Sequence, residues 1–143
     1  MAQISKRLIL EKGDVINRCL LRVKTKMPQT KTELLSDIDA QDIITLNLER
    51  AIQACVDIAA HIIAYTPLGT APTMADSFVL LARANIISDN LAIRLKKAVG
   101  LRNLLVHEYQ SINWDIVWAV LQNHLSELAD FVKEVSSRAS AKD

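Results

Sequence analysis

Apolar residues recur along this chain at α-helical spacing, in blocks divided by polar or proline-containing breaks. The breaks fall at Met27-Pro28, from Pro67 to Pro72, and from Tyr109 to Asn113. The first block predicts a helix from about Ser5 to Lys26, with Leu8, Ile16, Cys19, Leu20 and Val23 on its stripe. The second predicts a helix from about Asp39 to Tyr65, where Ile44, Leu48, Ala51, Cys55, Ile58, Ala59 and Ile62 repeat and Pro67 follows the end. A shorter helix is expected after Thr73, which has the chemistry of an N-cap, with Asp76 three residues on. A break near Ser88 to Asn90 lets Ser88 or Asp89 cap another helix, from about Asn90 to Val106. Asn113 caps the last, with Ile112 and Val117 placed as a hydrophobic staple. Trp114, Trp118, Leu121, Leu125, Leu128, Val132 and Val135 then follow as one helix, and the tail beyond Val135 is expected to fray.

Four long amphipathic helices and one short helix make an all-α, up-and-down helical bundle the expected fold. Length adds that residues 1–143 form a single domain. Half the residues are apolar, enough for a core without disulfides or metals. Cys19 and Cys55 both fall on apolar stripes and read as buried free thiols of a reducing cytoplasm. No Cys/His cluster suggests zinc, so neither metal nor cofactor is expected. The opening MAQISKRL lacks the apolar stretch of a signal peptide, and no apolar run is long enough to span a bilayer. A cytoplasmic protein without membrane contact is expected.

The fourth long helix departs from a plain core pattern. Leu91, Leu95, Ala98, Arg102 and Leu105 share one face, so a permanent charge occupies a position that packing would give to Leu or Ala. Unpaired burial of that charge is very costly, so Arg102 needs a carboxylate, a phosphate or a wet cleft. The bland alternative is a snorkelling side chain at the end of the stripe. Gly100 suggests close approach of another backbone, or only a local irregularity. His107 stands five residues after Arg102, about 140° away around an ideal helix. Either the helix unwinds near Val106, or a shared site draws on two copies of the chain. Alone, His107 is equally a surface residue whose cation suits a helix C-terminus.

The second helix carries Asn47, Arg50, Asp57 and His61 as a polar stripe. It is either a solvated face or the lining of a cleft or partner surface. His124 reads as packing. The net charge of +1 gives no global sign of a nucleic-acid partner. Local basic clusters do exist: Arg94, Lys96, Lys97 and Arg102 on the fourth long helix, and Arg18, Arg22, Lys24, Lys26 and Lys31 around the first break.

The run Arg102-Asn103-Leu104-Leu105-Val106-His107-Glu108-Tyr109 resembles the signature of HEPN ribonucleases, and the added Tyr makes it similar to the R-x-x-x-x-H-x-Y pattern of HepT-like toxins. The segment from Leu48 to Ile63 also resembles the second helix of that family. The resemblance implies a HEPN-like homodimer whose interface cleft carries Arg102 and His107 of both subunits, and which cleaves RNA, such as tRNA or mRNA, without a metal. It implies a minimal nucleotidyltransferase antitoxin as partner, able to transfer AMP to Tyr109. The residue chemistry is consistent with this. Histidine can give or take a proton at neutral pH, and an arginine can hold a phosphate with two hydrogen bonds. Asn103 is placed to orient the phosphate or His107. A rival reading is a non-catalytic HEPN adaptor or substrate-binding subunit of a nucleotidyltransferase.

Overall fold

A computed structural model describes residues 5–141, with side chains through Arg138. Helix α1 spans Lys6–Lys26, α2 Lys31–Ser36, α3 Ile38–Ala64, α4 Met74–Arg83, α5 Asp89–His107, α6 Trp114–Asn123 and α7 Leu125–Ala141. A 3-10 turn over Tyr109–Ser111 joins α5 to α6. The chain is all-α among the described residues, as periodicity predicts, but with seven helices rather than five.

Two differences account for the extra helices. Helix α2 lies in a stretch that reads as part of a basic cluster. Its local signal is Thr30-Lys31-Thr32-Glu33, a capping box. The Thr30 hydroxyl accepts from the Glu33 N–H at 3.2 Å, and the Glu33 carboxylate accepts from the Gln29 N–H at 3.1 Å. The expected single last helix is divided at His124, which leaves helical geometry at φ −127°, ψ 2°. No Pro or Gly marks this position. Instead His124 Nδ1 lies 2.6 Å from Glu127 Oε1, and that buried carboxylate also faces Arg94 Nη1 of α5 at 3.6 Å. The two halves follow different neighbours: α6 lies over α2, while α7 runs beside α1, α3 and α5.

Helix α3 is the centre of the molecule, touching α1, α2, α4, α5 and α7. Ala51, Ala54 and Ala59 keep it slim where neighbours approach, and Ile44, Leu48, Ile58 and Ile62 fill the core around it. Helix α1 runs antiparallel to α3: the Ser5 N–H donates to His61 Nε2 at 2.9 Å, and Lys12 Nζ meets Asp57 Oδ2 at 3.1 Å. Ile9, rather than Leu8, leads the buried stripe of α1. Gly13 sits where α1 meets α7 closely. A Cβ there would come within 2.9 Å of Val132 Cγ1. Phe131 of α7 closes the core edge-on against Phe78 of α4, with ring centroids 5.5 Å apart.

The expected caps at Thr73, Ser88 and Asn113 are present, and Ser5 adds one that the spacing does not mark. Ser5, Thr73 and Ser88 accept from the backbone N–H three residues on, and Asn113 from Asp115. The break before α5 comes earlier than expected, at Ala84 to Ser88. Asn85 adopts φ +60°, and the Ile86 N–H returns to Leu81 O at 2.9 Å, a Schellman closure using Asn in place of Gly. The tail expected to fray after Val135 continues as helix to Ala141; residues 142 and 143, like the first four, lie outside the described residues.

Candidate active site

Helix α5 presents the Arg-His motif. The Ser88 hydroxyl starts it, accepting from the Leu91 N–H at 3.1 Å. Leu91, Leu95, Val99, Leu101 and Leu105 anchor its inner face in the core. The helix continues unbroken through His107, and the Glu108 N–H still donates to Leu104 O at 2.9 Å. Of the two ways to bring Arg102 and His107 together, unwinding near Val106 is therefore removed. The two side chains leave α5 about 140° apart.

Arg102 sits at the edge of the apolar stripe, half-buried. Its Nη1 donates to Asn103 Oδ1 at 3.2 Å. Its Nε is enclosed by protein and has no hydrogen-bond partner. A buried N–H left this way costs about 1–3 kcal/mol. No carboxylate among the described residues forms a salt bridge with it, so the charge is held ready rather than neutralised. Asn103 is exposed, and its side-chain oxygen contacts the guanidinium rather than His107.

His107 is exposed on the last turn of α5. It shares the outward face with Ile93, Gly100 and Leu104, at i, i+7, i+11 and i+14 relative to Ile93. Ile93 and Leu104 are 56% and 42% exposed, unusual for residues of this size. A Cβ on Gly100 would meet nothing within 4 Å, so the close approach that Gly100 suggests does not occur within the protomer. Beside this face runs an apolar groove of about 610 Å³, floored by Leu48 and Ile52 of α3, Leu101 and Leu104 of α5, and Val120 of α6. Arg94, Lys97, His124 and Glu127 stand at its walls, with the Glu127 carboxylate between Arg94 and His124.

Tyr109 opens the 3-10 turn immediately after α5. Its hydroxyl donates to the carboxylate of Asp42 on α3, and the Thr45 hydroxyl lies beside it. The hydrogen bond to Asp42 pushes the phenol above its ordinary pKa of 10, partial burial adds to this, and Thr45 pulls slightly the other way. The hydroxyl that the sequence places in an open loop is thus held against a helix 67 residues earlier. Nothing in the local spacing of Asp42 or Thr45 marks them for this role.

The polar stripe of α3 faces elsewhere. Asp57 pairs with Lys12 and accepts from Gln53, His61 accepts from Ser5, and Arg50 lies beside Cys19 of α1. Asn47 is buried and donates to Ile43 O in its own helix. These contacts tie α1 to α3; none among the described residues joins Asn47, Arg50, Asp57 or His61 to Arg102, His107 or Tyr109.

Comparison with known proteins shows the family. The family described as Ribonuclease HepT-like matches residues 16–135, which include the whole motif and most of the bundle. The chain belongs to the HepT-like ribonuclease family. It is 40% identical to an mRNA nuclease HepT of Shewanella oneidensis, over 91% of this chain and 97% of the relative. It is 28% identical to a tRNA nuclease HepT of Aphanizomenon flos-aquae, over 96% and 93% of the two chains. Among solved structures, it resembles a tri-AMPylated Shewanella oneidensis HEPN toxin in complex with an MNT antitoxin. The TM-score is 0.85 and the identity 40%, covering 91% of this chain and 97% of that one. A toxin–antitoxin structure with AMP-PNP matches at TM-score 0.86 and 39% identity, covering 92% and 98%. The fold alone is shared with YutE from Bacillus subtilis, at TM-score 0.83 and 16% identity. Arg102, His107 and Tyr109 of this HepT-like ribonuclease all lie within the matched residues. No described helix is long and apolar enough to cross a membrane.

Proposed function

We propose that this single-domain protein is the cytoplasmic toxin of a type II toxin–antitoxin system, an RNA endonuclease that needs no metal. It works as a homodimer, with Arg102 and His107 of both subunits in one cleft. A minimal nucleotidyltransferase antitoxin silences it by adding AMP to Tyr109. The observation that carries this reading is Arg102: a half-buried guanidinium whose Nε has no acceptor, on an unbroken helix that points His107 elsewhere. Such a group calls for a phosphate. Such a divergence calls for a second copy, for which the outward face of α5 with Ile93, Gly100, Leu104 and His107 is suited.

RNA carries its own nucleophile. The 2′-hydroxyl attacks the adjacent phosphorus and gives its proton to one His107. The P–O5′ bond breaks, and the leaving oxygen takes a proton from the other His107. Arg102, steadied by Asn103, holds the phosphate oxygens as charge builds on them. The products are a 2′,3′-cyclic phosphate and a 5′-hydroxyl. AMP on Tyr109 would place a phosphodiester anion beside this cleft, where it competes with RNA for Arg102.

The test is cleavage of total tRNA and a model mRNA by wild type, His107→Ala and Arg102→Ala, with and without EDTA. Wild type should cleave in EDTA and His107→Ala should not. Equal cleavage by His107→Ala would remove His107 from the chemistry, and no cleavage by wild type would favour an adaptor role. A monomer on light scattering would remove the composite cleft. Tyr109→Phe should escape AMP transfer by the antitoxin.

A further inference from the structure

We propose that Asp42 is the proton acceptor for AMP transfer onto Tyr109, so that the toxin itself supplies the base for its own silencing. The assignment rests on reading Tyr109 as the modified residue. It adds a second chemical group, on a different helix and outside the R-x-x-x-x-H-x-Y motif.

The argument begins with the phenol. A tyrosine hydroxyl has an ordinary pKa of 10, so at neutral pH only about one molecule in a thousand is phenolate. Here the acceptor carboxylate and partial burial make the phenolate scarcer still. The proton must therefore leave as the oxygen attacks, to a base already in place. Asp42 is that base by geometry, since its Oδ1 accepts the hydrogen bond from Tyr109 Oη. Asp42 is itself exposed, and Tyr109 is 42% exposed, so a second protein can bring a nucleotide to this oxygen without rearranging the core. Thr45 lies beside the same oxygen from one turn further along α3, its own hydroxyl proton given to Gln41 O at 2.8 Å. Nucleophile and base are thus assembled before any partner arrives. The ionisable groups nearest to the pair along the chain are Asp39, one turn earlier on α3, and His107 and Glu108 beside Tyr109.

The step balances. Tyr109 Oη attacks the α-phosphorus of ATP and forms the new O–P bond. The phenolic proton passes to the Asp42 carboxylate and from there to water. The bond from the α-phosphorus to the β-phosphate oxygen breaks, and pyrophosphate leaves. Afterwards Tyr109 has no proton to donate, and its phosphodiester repels the Asp42 carboxylate. The modified side chain is released from α3 by the reaction that modifies it.

The experiment is single-turnover AMP incorporation, read by intact mass, with ATP and the nucleotidyltransferase antitoxin. Wild type, Asp42→Asn, Asp42→Glu and Tyr109→Phe are compared from pH 6 to 9. Asp42→Asn should slow transfer by about 10²–10⁴-fold near pH 7. Its rate should then climb about tenfold per pH unit as phenolate forms, a slope that wild type lacks. Asp42→Glu, which keeps a base in a shifted place, should recover to within about 10²-fold of wild type. Thermal melting establishes that each variant is folded. If wild type gains AMP and Asp42→Asn gains it at a comparable rate, Asp42 is not the base, while the modification of Tyr109 stands. A slow Asp42→Asn whose pH profile parallels wild type makes Asp42 a structural tether and overturns the proposal. If wild type takes no AMP, or Tyr109→Phe takes as much, the reading of Tyr109 falls first and the role of Asp42 with it.

Discussion

Replacing Arg102 with Met should make the protein more stable while destroying its ribonuclease activity. The position continues the buried stripe of Leu91, Leu95, Ala98 and Leu105, and the methionine stem fills similar space without a charge. The gain comes from removing one enclosed donor, Arg102 Nε, which has no acceptor. Such a group destabilises by about 1–3 kcal/mol. Part of the guanidinium is solvated and Nη1 is bonded to Asn103, so the lower half of that range is expected, about 1–2 kcal/mol. Unfolding entropy of about 2.1 cal/mol/K per residue gives a chain of 143 residues about 0.3 kcal/mol/K. Arg102→Met should therefore raise Tm by about 3–7 °C. Cleavage should fall by at least about 10²–10³-fold, the loss expected when a preorganised charge at the phosphate is removed. Calorimetry of both proteins at equal protomer concentration measures the first, because dimerisation makes Tm depend on concentration. A gel assay on labelled RNA measures the second. An Arg102→Met protein that melts below wild type would refute the reasoning. It would mean that the guanidinium finds a partner in the functional assembly, the natural source being the second subunit.

Three further outcomes follow from packing, titration and capping. Gly13→Ala sets a helix-propensity gain of about 1 kcal/mol against overpacking of about 1–3 kcal/mol where the new methyl meets Val132. It should lower Tm alone and become neutral or stabilising in a Val132→Ala background; stabilisation by Gly13→Ala alone would contradict the close α1–α7 contact. Burial pushes the Cys55 thiol up from its ordinary 9.0. Folded and unfolded chains both keep this proton below that value, so the contribution to stability is full there. Above it the unfolded chain loses the proton first, and stability falls by up to about 1.4 kcal/mol per pH unit until the folded thiol titrates. Urea melts from pH 8 to 10.5 should show this decline, with a slope one proton shallower in Cys55→Ala; an unchanged slope would mean that Cys55 ionises equally in both states. Thr73→Ala removes the hydroxyl that caps α4, which accepts from the Asp76 N–H at 3.2 Å. It should cost about 1 kcal/mol in the same melts, and no loss would show the cap to be idle.

The sequence by itself determined the all-α class and five of the seven helix starts, and it marked the three motif residues as candidates. These are local signals. An N-cap hydroxyl bonds a backbone group two or three residues away, as Ser5, Thr73, Ser88 and Asn113 do, and a helical stripe repeats every three or four residues. Arg102 was legible for the same reason, as a charge where its own helix calls for an apolar residue. The tertiary structure decided what depends on neighbours distant in sequence. The last helix breaks at His124 because Glu127 is drawn into the core beside Arg94, and a stripe that stays in phase across one non-helical residue gives no warning. The polar residues of α3 turn to α1 because Ser5 and Lys12 meet them there. Asp42 is one acidic side chain on an outward helix face until the turn after α5 lays Tyr109 on it. Local periodicity fixes which face of a helix is buried, but not which helix lies across it. That choice is made by the packing of the whole core, and it put the carboxylate of α3 against the hydroxyl of the motif.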